Sequence, residues 1–265
     1  IRIIPSCGYD SIPSDLGTFF TVSQFNKPVT RVDVYHEAHG GVSGGTTETA
    51  FTMGGLTKEM RDPFVLNPEE TVSEEQRQKS QDSFVIEQVD GIDGWSGIGI
   101  MALANTRVVR RSVALMEQNQ KSYGNNFTFG EHGLFSTKGM ARLAWLVSII
   151  AFLILTTPLK RLVRPFLPKP GEGPSQETQD KGWFRATFIA YAEDNERKIC
   201  SMYGLGDPGY KSTAKLVCES ALSLSRHNEL PGGSEYGGVL TPAVGLGDVL
   251  IERLKNKEIE FKVLN

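Results

Sequence analysis

Apolar residues recur along the chain first at strand spacing and then at helical spacing. Residues 1–6 are rich in β-forming side chains, and a helix is predicted to follow because Leu16, Phe19 and Phe20 lie on one helical face. Ser11 is a suitable N-cap for this helix, with Pro13 in its first turn. The same reasoning predicts strands over 31–39 and 126–129, helices over 47–60 and 105–121, and a strand or buried loop over 94–102.

The C-terminal part of the chain predicts a β-hairpin followed by helices. Residues 183–192 and 198–205 are both strand-like, and Asp194, Asn195 and Glu196 between them are turn formers. Helices over 210–225 and 242–255 and a last strand over 258–263 complete the prediction. The expected fold is therefore α+β, a mixed or antiparallel sheet with helices packed on it.

A 15-residue uncharged apolar run, 143–157, lies inside a basic stretch. No Asp or Glu occurs from His132 to Gly171, and this stretch carries a charge of +6 in a chain whose net charge is −3. As a helix the run would be about 22 Å long, whereas a membrane span needs about 20 residues.

Three interpretations of this run compete: a buried core helix, a helix lying in one membrane leaflet, and a membrane span. Prolines follow the run, and basic residues flank it on both sides, as anionic head groups would require. We therefore expect segment 141–164 to associate with a membrane. The residues expected to contact it are Trp145, Ile149, Ile150, Phe152, Leu153, Lys160, Arg161 and Arg164.

Composition excludes several classes of protein. Hydrophobic residues make up 39% of the chain and charged residues 22%, which excludes wholesale disorder and a polytopic membrane protein. The mildly acidic net charge argues against a nucleic-acid-binding protein. Cys7, Cys200 and Cys218 are far apart, and His36 and His39 lack the spacing of a helical zinc motif, so no metal site is expected.

The most unusual local chemistry lies at residues 7–15, where carboxylates, hydroxyls and a thiol crowd a predicted strand-to-helix junction. Two interpretations remain open there, a ligand site at the end of a strand or residues that only form the turn and the helix start. A Gly-rich loop over 43–46 could bind an anion or be a flexible connection. Arg107, Arg110 and Arg111 could clamp a phosphate or carboxylate, or form a solvated or ion-paired helix face.

These motifs carry a family resemblance. The residues Cys-Gly-Tyr-Asp-Ser-Ile-Pro-Ser-Asp-Leu-Gly at 7–17 resemble a signature of the saccharopine dehydrogenase-like oxidoreductases. That group includes animal lipid-droplet proteins and mycobacterial trans-acting enoyl reductases. Similar motifs recur in the same order at 43–46, 108–112, 206–210 and 237–242, so the resemblance covers nearly the whole chain.

The resemblance implies a two-domain organisation. Residues 1–30 would be the last strand and helix of a Rossmann-type domain that is otherwise absent, and 31–265 a substrate or dimerisation domain. The chain begins with Ile in a strand-like segment and lacks the Gly-rich cofactor loop of the family it resembles, so we expect it to be part of a longer protein and NAD or NADP to be bound mainly elsewhere.

The candidate site residues follow from placing the junction beside the nicotinamide. Asp10 and Asp15 are the candidates for proton handling, and Cys7, Gly8, Ser11 and Ser14 for cofactor contact. The candidates for substrate binding are Ser43, Gly44, Gly45, Thr46, Arg110 and Arg111.

The leading hypothesis is an NAD(P)-dependent oxidoreductase of lipid or glycolipid metabolism, acting on a lipid-like small molecule. One alternative is a non-catalytic membrane- or lipid-droplet-associated binding protein, and another is a soluble enzyme whose apolar helix is core or a dimer interface. We expect an intracellular, membrane-associated protein on a lipid droplet, mitochondrion or other membrane, facing the cytosol. A homodimer is a further expected assembly, and nucleic acid is not expected as a partner.

Overall fold

The computed structural model describes residues 1–41, 44–45, 48, 62–68, 71–82, 84–169 and 171–265. In this part of the chain the fold is α+β, with helices packed on a mixed sheet, as predicted. The strands are β1 (Arg2–Ile3), β2 (Val29–His39), β3 (Trp95–Gly97), β4 (Thr128–Phe135), β5 (Trp183–Ala192), β6 (Arg197–Leu205), β7 (Gly238–Val239) and β8 (Ile259–Val263). The helices are α1 (Ile12–Val22), α2 (Glu74–Lys79), α3 (Ala102–Gln118), α4 (Lys138–Thr156), α5 (Lys160–Val163), α6 (Gln176–Lys181), α7 (Thr213–Leu224), α8 (Pro242–Gly245) and α9 (Gly247–Lys255).

The main sheet has six strands in the order β3-β4-β2-β5-β6-β8. The β2 strand pairs in parallel with β4 and antiparallel with β5, which makes the sheet mixed. The predicted hairpin is confirmed, because β5 pairs antiparallel with β6 from Trp183 opposite Leu205 to Tyr191 opposite Arg197.

Helix α1 packs directly on one face of this sheet. Val32 and Val34 of β2 and Phe188 of β5 are fully buried on that face, since alternate residues of a strand point to the same side. A Cβ atom on Gly17 would lie 2.2 Å from the Phe188 ring. The bare backbone of Gly17 therefore lets the helix approach the sheet closely enough to place its N-terminus over β2 and β4.

The first strand belongs to a separate two-stranded sheet. β1 pairs in parallel with β7, with Arg2 opposite Gly238. The Arg2 guanidinium donates hydrogen bonds to the carbonyl oxygens of Pro231 and Gly245, at 2.8 and 2.9 Å. Ile1 and Ile3 are exposed on this small sheet.

Several element boundaries differ from the prediction. β4 extends to Phe135, well past the expected end at 129. The prediction ended too early because Gly130, Glu131 and Gly133 interrupt the apolar alternation that identifies a strand. The predicted helix over 242–255 is two helices, and Gly247, with φ of +48°, stands where the second begins. Apart from Glu48, the predicted helix over 47–60 lies outside the described residues.

The apolar helix α4 lies on the surface. Ala141 is its one buried residue, and large apolar side chains such as Leu143, Val147 and Leu153 are exposed. The interpretation of this run as a buried core helix is therefore wrong. Among the described residues, α4 is long and apolar enough to cross a membrane by length and composition.

Candidate functional site

A buried polar cluster forms where the N-terminus of α1 meets β2, β4 and α3. The Ser14 hydroxyl donates a hydrogen bond to Glu131 Oε2 over 2.7 Å. Asn105 Nδ2 donates to the other carboxylate oxygen, Oε1, over 2.9 Å, and the Ser11 hydroxyl donates to Asn105 Oδ1 over 3.1 Å. Glu131 is thus held from two sides by neutral hydrogen-bond donors, which keep its carboxylate in one position.

His36 joins this cluster from β2. Its Nε2 atom lies 3.1 Å from Ser14 Oγ and 3.7 Å from Glu131 Oε2. Because the Ser14 hydroxyl donates to Glu131, the hydrogen-bond geometry assigns a proton to His36 Nε2, which donates to Ser14. The three residues therefore form one hydrogen-bonded chain. Since 16% of the His36 side chain is exposed against 2% of the Glu131 side chain, His36 is the member that reaches the surface.

Asp10 lies at the edge of the same cluster. Asp10 as a whole is an exposed residue, but partial burial of its carboxyl group, together with the charge of Glu131, raises its pKa above the ordinary value. Its role in turnover stays a prediction.

Asp15 occupies a different environment, fully buried between α1, α3 and α8. Its carboxylate accepts a hydrogen bond from the Ala243 backbone N–H over 2.8 Å and another from the Ser112 hydroxyl, which also lies 2.6 Å from the Thr241 hydroxyl. Burial raises the pKa of Asp15 to about 7, although the hydrogen bonds from Ser112 and Ala243 act to lower it. Asp15 is fully buried, and its two hydrogen bonds link helix α1 to helices α3 and α8.

The other junction residues are bound within the protein. The Gly8 carbonyl accepts hydrogen bonds from the N–H groups of Ser11 and Ile12, at 3.4 and 3.0 Å, and so begins α1. Cys7 Sγ lies 3.2 Å from the Ile4 carbonyl oxygen, and burial raises the pKa of this thiol. Ser11 is the N-cap residue, as predicted, but its hydroxyl contacts Asn105 instead of capping the helix.

These residues do not fit a complete dinucleotide. The Ser11 and Ser14 hydroxyls already have protein partners. The sequence matches G-x-G-x-x-G at 204–209, where strand β6 ends, but the Asp207 carboxylate there accepts hydrogen bonds from the backbone N–H groups of Tyr210 and Lys211 that would otherwise face a pyrophosphate. No step of a reaction is therefore routed through a cofactor bound by this chain. Among the described residues, no group of three or more His, Cys, Asp and Glu side chains is arranged to hold a metal ion.

The arginines of α3 fix the neighbouring loop. Arg107 and Arg110 are buried and both bind Asp82, at 2.7 and 3.1 Å. Arg111 donates to the Val239 carbonyl over 2.7 Å and to the Leu66 carbonyl. In the described structure Arg107 and Arg110 take the ion-paired alternative, whereas Arg111 binds backbone carbonyl oxygens. The substrate-clamp interpretation of Arg110 and Arg111 stays a prediction.

Half of the predicted glycine loop can be described. Ser43 and Thr46 lie outside the described residues. The Gly44 N–H donates to the Glu172 carbonyl over 2.9 Å, and a Cβ atom at Gly44 would overlap the Lys169 carbonyl oxygen. Gly44 therefore serves a close backbone contact with the segment after α5, and its neighbour Gly45 is exposed.

The sequence did not reveal Asn105, Glu131 and the role of His36. Asn105 stands in the first turn of a helix and Glu131 in the middle of a strand, positions where polar residues are ordinarily solvated. The one available signal was the Gly-Glu-His-Gly sequence over 130–133, which puts charge where a buried strand expects apolar residues.

Among curated proteins, the chain is similar in sequence to mycobacterial trans-acting enoyl reductases. It is 31% identical over 283 residues to the trans-acting enoyl reductase of Mycobacterium tuberculosis (strain ATCC 25618 / H37Rv), with 96% of this chain and 65% of that protein covered. The Mycobacterium leprae (strain TN) trans-acting enoyl reductase is 29% identical over 280 residues with the same coverage. No protein-family model matches the chain, and no solved structure matches it.

The similarity confirms the expected relation to the mycobacterial trans-acting enoyl reductases. It covers 96% of this chain. The chain spans 65% of the length of these relatives, slightly under two thirds.

Proposed function

We propose that the protein is an NAD(P)-dependent oxidoreductase of lipid metabolism that reduces an α,β-unsaturated acyl group. The similarity to trans-acting enoyl reductases over 96% of the chain supports the reaction class. The observation that carries the proposal for this chain is the chain of hydrogen bonds from His36 through Ser14 to Glu131.

Reduction of an enoyl C=C bond adds one hydride and one proton to the two carbons. The nicotinamide would supply the hydride. In our proposal this chain supplies the proton: a protonated His36 donates it to the α-carbon from Nδ1, the ring nitrogen that has no partner among the described residues. Nε2 stays bound to Ser14, and the Ser14 hydroxyl and the Glu131 carboxylate stabilise the charge on the ring before transfer. Asn105 and Ser11 hold Glu131 in place and are positioning residues.

We further propose that a Rossmann-type domain outside this chain binds the cofactor and that residues 1–30 complete it. The pairing of β1 with β7 alone among the described strands, and the exposure of Ile1 and Ile3, favour a further strand beside β1. The finer assignment to the saccharopine dehydrogenase-like group, and the choice between NAD and NADP, belong to this proposal.

The test uses the full-length protein that contains this chain. A 2-enoyl thioester, such as a medium-chain 2-enoyl-CoA, is incubated with NADH or NADPH while oxidation of the nicotinamide and formation of the saturated acyl product are followed together. Cofactor oxidation matched by saturated product supports the proposal. Lipid binding with no cofactor-dependent turnover would instead favour a non-catalytic binding protein.

We also propose that the protein docks on a membrane through α4. The exposed apolar residues of α4, together with Leu159, Leu162 and Phe166 beyond it, support this proposal, because soluble proteins rarely expose large apolar patches. The Lys138 ammonium lies 5.0 Å from the Trp95 ring centroid. A basic residue therefore lies at the N-terminal end of α4, beside strand β3. A helix with basic residues at both ends suits an anionic lipid surface.

A further inference from the structure

A short apolar loop, residues 98–101, connects β3 to α3 beside the polar cluster. Ile100 is 87% exposed, and Ile98 and Met101 are partly exposed. Leu103, in the first turn of α3, is 37% exposed. Three of the four loop residues are therefore large apolar side chains that reach solvent, and no charged residue lies between them and Leu103.

The loop passes next to His36 on the sheet. In the parallel pairing of β2 with β4, His36 is the direct partner of Gly133, so their backbones lie about 4.8 Å apart. A Cβ atom on Gly133 would lie 2.7 Å from the Ile98 carbonyl oxygen. Because the side chains of directly paired residues point to the same face of a sheet, the loop covers the face from which His36 projects.

The other end of the loop is fixed to the polar cluster. The Met101 carbonyl accepts a hydrogen bond from the Asn105 N–H over 3.0 Å, and the Asn105 side chain donates to the Glu131 carboxylate. A Cβ atom on Gly99 would lie 3.4 Å from the Glu131 carbonyl oxygen. The backbone on both sides of Ile100 is therefore held by contacts with residues that form the cluster.

The start of the loop contacts α4. A Cβ atom on Gly97, the last residue of β3, would lie 3.4 Å from Ala141 Cβ, and Ala141 is the one buried residue of α4. Met140, beside it, is 52% exposed. Apolar side chains are thus exposed both on the loop and on the first turn of α4, which favours an apolar occupant over a sugar or a charged group.

An acyl chain is the apolar group that the proposed reaction brings to this place. His36 would deliver its proton to the α-carbon of the enoyl group, so the carbons beyond the double bond must lie on the surface around His36. Ile100 is two residues from Ile98, which is at most about 7 Å along the chain. Ile100 therefore lies within reach of a medium-length acyl chain whose reacting end is at His36.

We infer that Ile100 and Leu103 contact the acyl chain of the substrate and determine the preference for its length. This inference rests on the proposed function, because that function supplies the acyl chain. A short chain would end before the loop, whereas a longer chain would cover the exposed side chain of Ile100 and remove apolar area from water. The chemical class of the ligand is therefore a medium- or long-chain acyl thioester.

The turnover test compares a short and a longer substrate on the full-length protein. With NADH or NADPH present, kcat/KM is measured for crotonyl-CoA and for 2-dodecenoyl-CoA. Ile100→Ser should lower kcat/KM for 2-dodecenoyl-CoA roughly tenfold, as expected when one aliphatic contact is lost, and much less for crotonyl-CoA. Leu103→Ser should act in the same direction. Both positions are exposed, so these variants are expected to fold.

Two controls accompany these variants. Ile100→Leu keeps the apolar area and should retain most of the wild-type preference for the longer chain. Leu222→Ser removes a similarly exposed leucine on α7 and should change kcat/KM for neither substrate. An equal loss for both thioesters in Ile100→Ser, or an Ile100→Ser effect no larger than that of Leu222→Ser, would overturn the inference.

Binding separates this inference from the proposed function. Calorimetric titration with butanoyl-CoA and dodecanoyl-CoA, the saturated products, needs no turnover, and Ile100→Ser should weaken mainly the binding of dodecanoyl-CoA. Chain-length-dependent binding that Ile100→Ser abolishes, without reduction of either enoyl thioester, would retain the acyl site and remove the reductase proposal. Reduction that Ile100→Ser leaves unchanged for both substrates would retain the reductase and remove the acyl site. Unchanged binding together with no reduction would contradict both.

Discussion

The Ser14 hydroxyl donates a hydrogen bond to Glu131 Oε2 over 2.7 Å across 117 positions of sequence. This contact joins the first turn of α1 to the middle of β4, and both residues are buried. It fixes the position of the helix N-terminus over the sheet and orients the carboxylate whose Oε2 atom lies 3.7 Å from His36 Nε2. Fold and proposed chemistry therefore depend on the same hydrogen bond.

Removing the Ser14 hydroxyl should destabilise the protein measurably. Ser14→Ala leaves Glu131 Oε2 without its closest donor, and a buried unsatisfied polar group costs about 1–3 kcal/mol. We expect the free energy of unfolding in urea to fall by that amount. Ser23→Ala, which removes an exposed hydroxyl bonded to the Phe20 carbonyl, is the control and should change it by less than about 0.5 kcal/mol. Equal losses in the two variants would argue against the buried cluster.

Asp15 should make stability depend on pH. Burial raises its folded-state pKa to about 7, whereas an unfolded Asp titrates near 4. The protonated carboxyl is therefore favoured in the folded state, and its contribution to stability is present below about pH 4 and is lost as the pH rises through about 7. Between pH 5 and 8 the loss should reach about 2 kcal/mol.

Asp15→Asn mimics the protonated side chain and tests this directly. Its amide can still accept from the Ala243 N–H and donate to the Ser112 hydroxyl. Urea unfolding at a series of pH values should therefore show a flatter profile for the variant than for the wild type. Parallel profiles would mean that Asp15 titrates at its ordinary pKa in the folded protein.

The close approach of α1 to the sheet predicts opposite stability changes for two Gly→Ala substitutions. Gly17→Ala would place a methyl group 2.2 Å from the Phe188 ring, so overpacking should cost about 1–3 kcal/mol. Gly139→Ala lies on the exposed start of α4, where its Cβ would have only an ordinary contact at 3.9 Å, so helix propensity should stabilise it by up to about 1 kcal/mol. Denaturant midpoints of the two variants measure this, and a stabilised Gly17→Ala would contradict the packing.

Docking through α4 predicts a loss of vesicle binding when its apolar surface is charged. Ile150→Asp with Leu153→Asp should reduce flotation with phosphatidylglycerol vesicles by at least about tenfold, since each exposed apolar side chain can contribute about 1.5–3 kcal/mol on burial. Leu222→Asp, at a similarly exposed leucine on α7, is the matched control. Unchanged flotation of the double variant would favour a dimer interface over a membrane surface.

The fold was largely predictable because most of its elements are amphipathic or are bounded by turn formers. The hairpin of β5 and β6 needed only two alternating runs and the Asp194-Asn195-Glu196 turn. The length of β4 was not predictable, since its buried Glu131 and His132 have partners on other elements that the local sequence does not show.

Part of the candidate site could be predicted from the sequence. Crowded polar residues identified the 7–15 junction, and the structure brings Ser11 and Ser14 of that junction into one cluster. The sequence could not separate Asp10, which is exposed near Glu131, from Asp15, which is buried among helices, because that difference arises from long-range packing against Ser112 and Ala243.

In our proposal Glu131, through Ser14 and His36, supports proton delivery during enoyl reduction. The most direct measurement is the rate of saturated product formation from a 2-enoyl thioester by the full-length protein, its Glu131→Gln variant and a Glu37→Gln control on the opposite face of β2. We predict that kcat falls about 100-fold in Glu131→Gln, with little change in KM, and is unchanged in Glu37→Gln. Wild-type turnover by Glu131→Gln, or no turnover by the wild-type protein with either nicotinamide, would contradict the account.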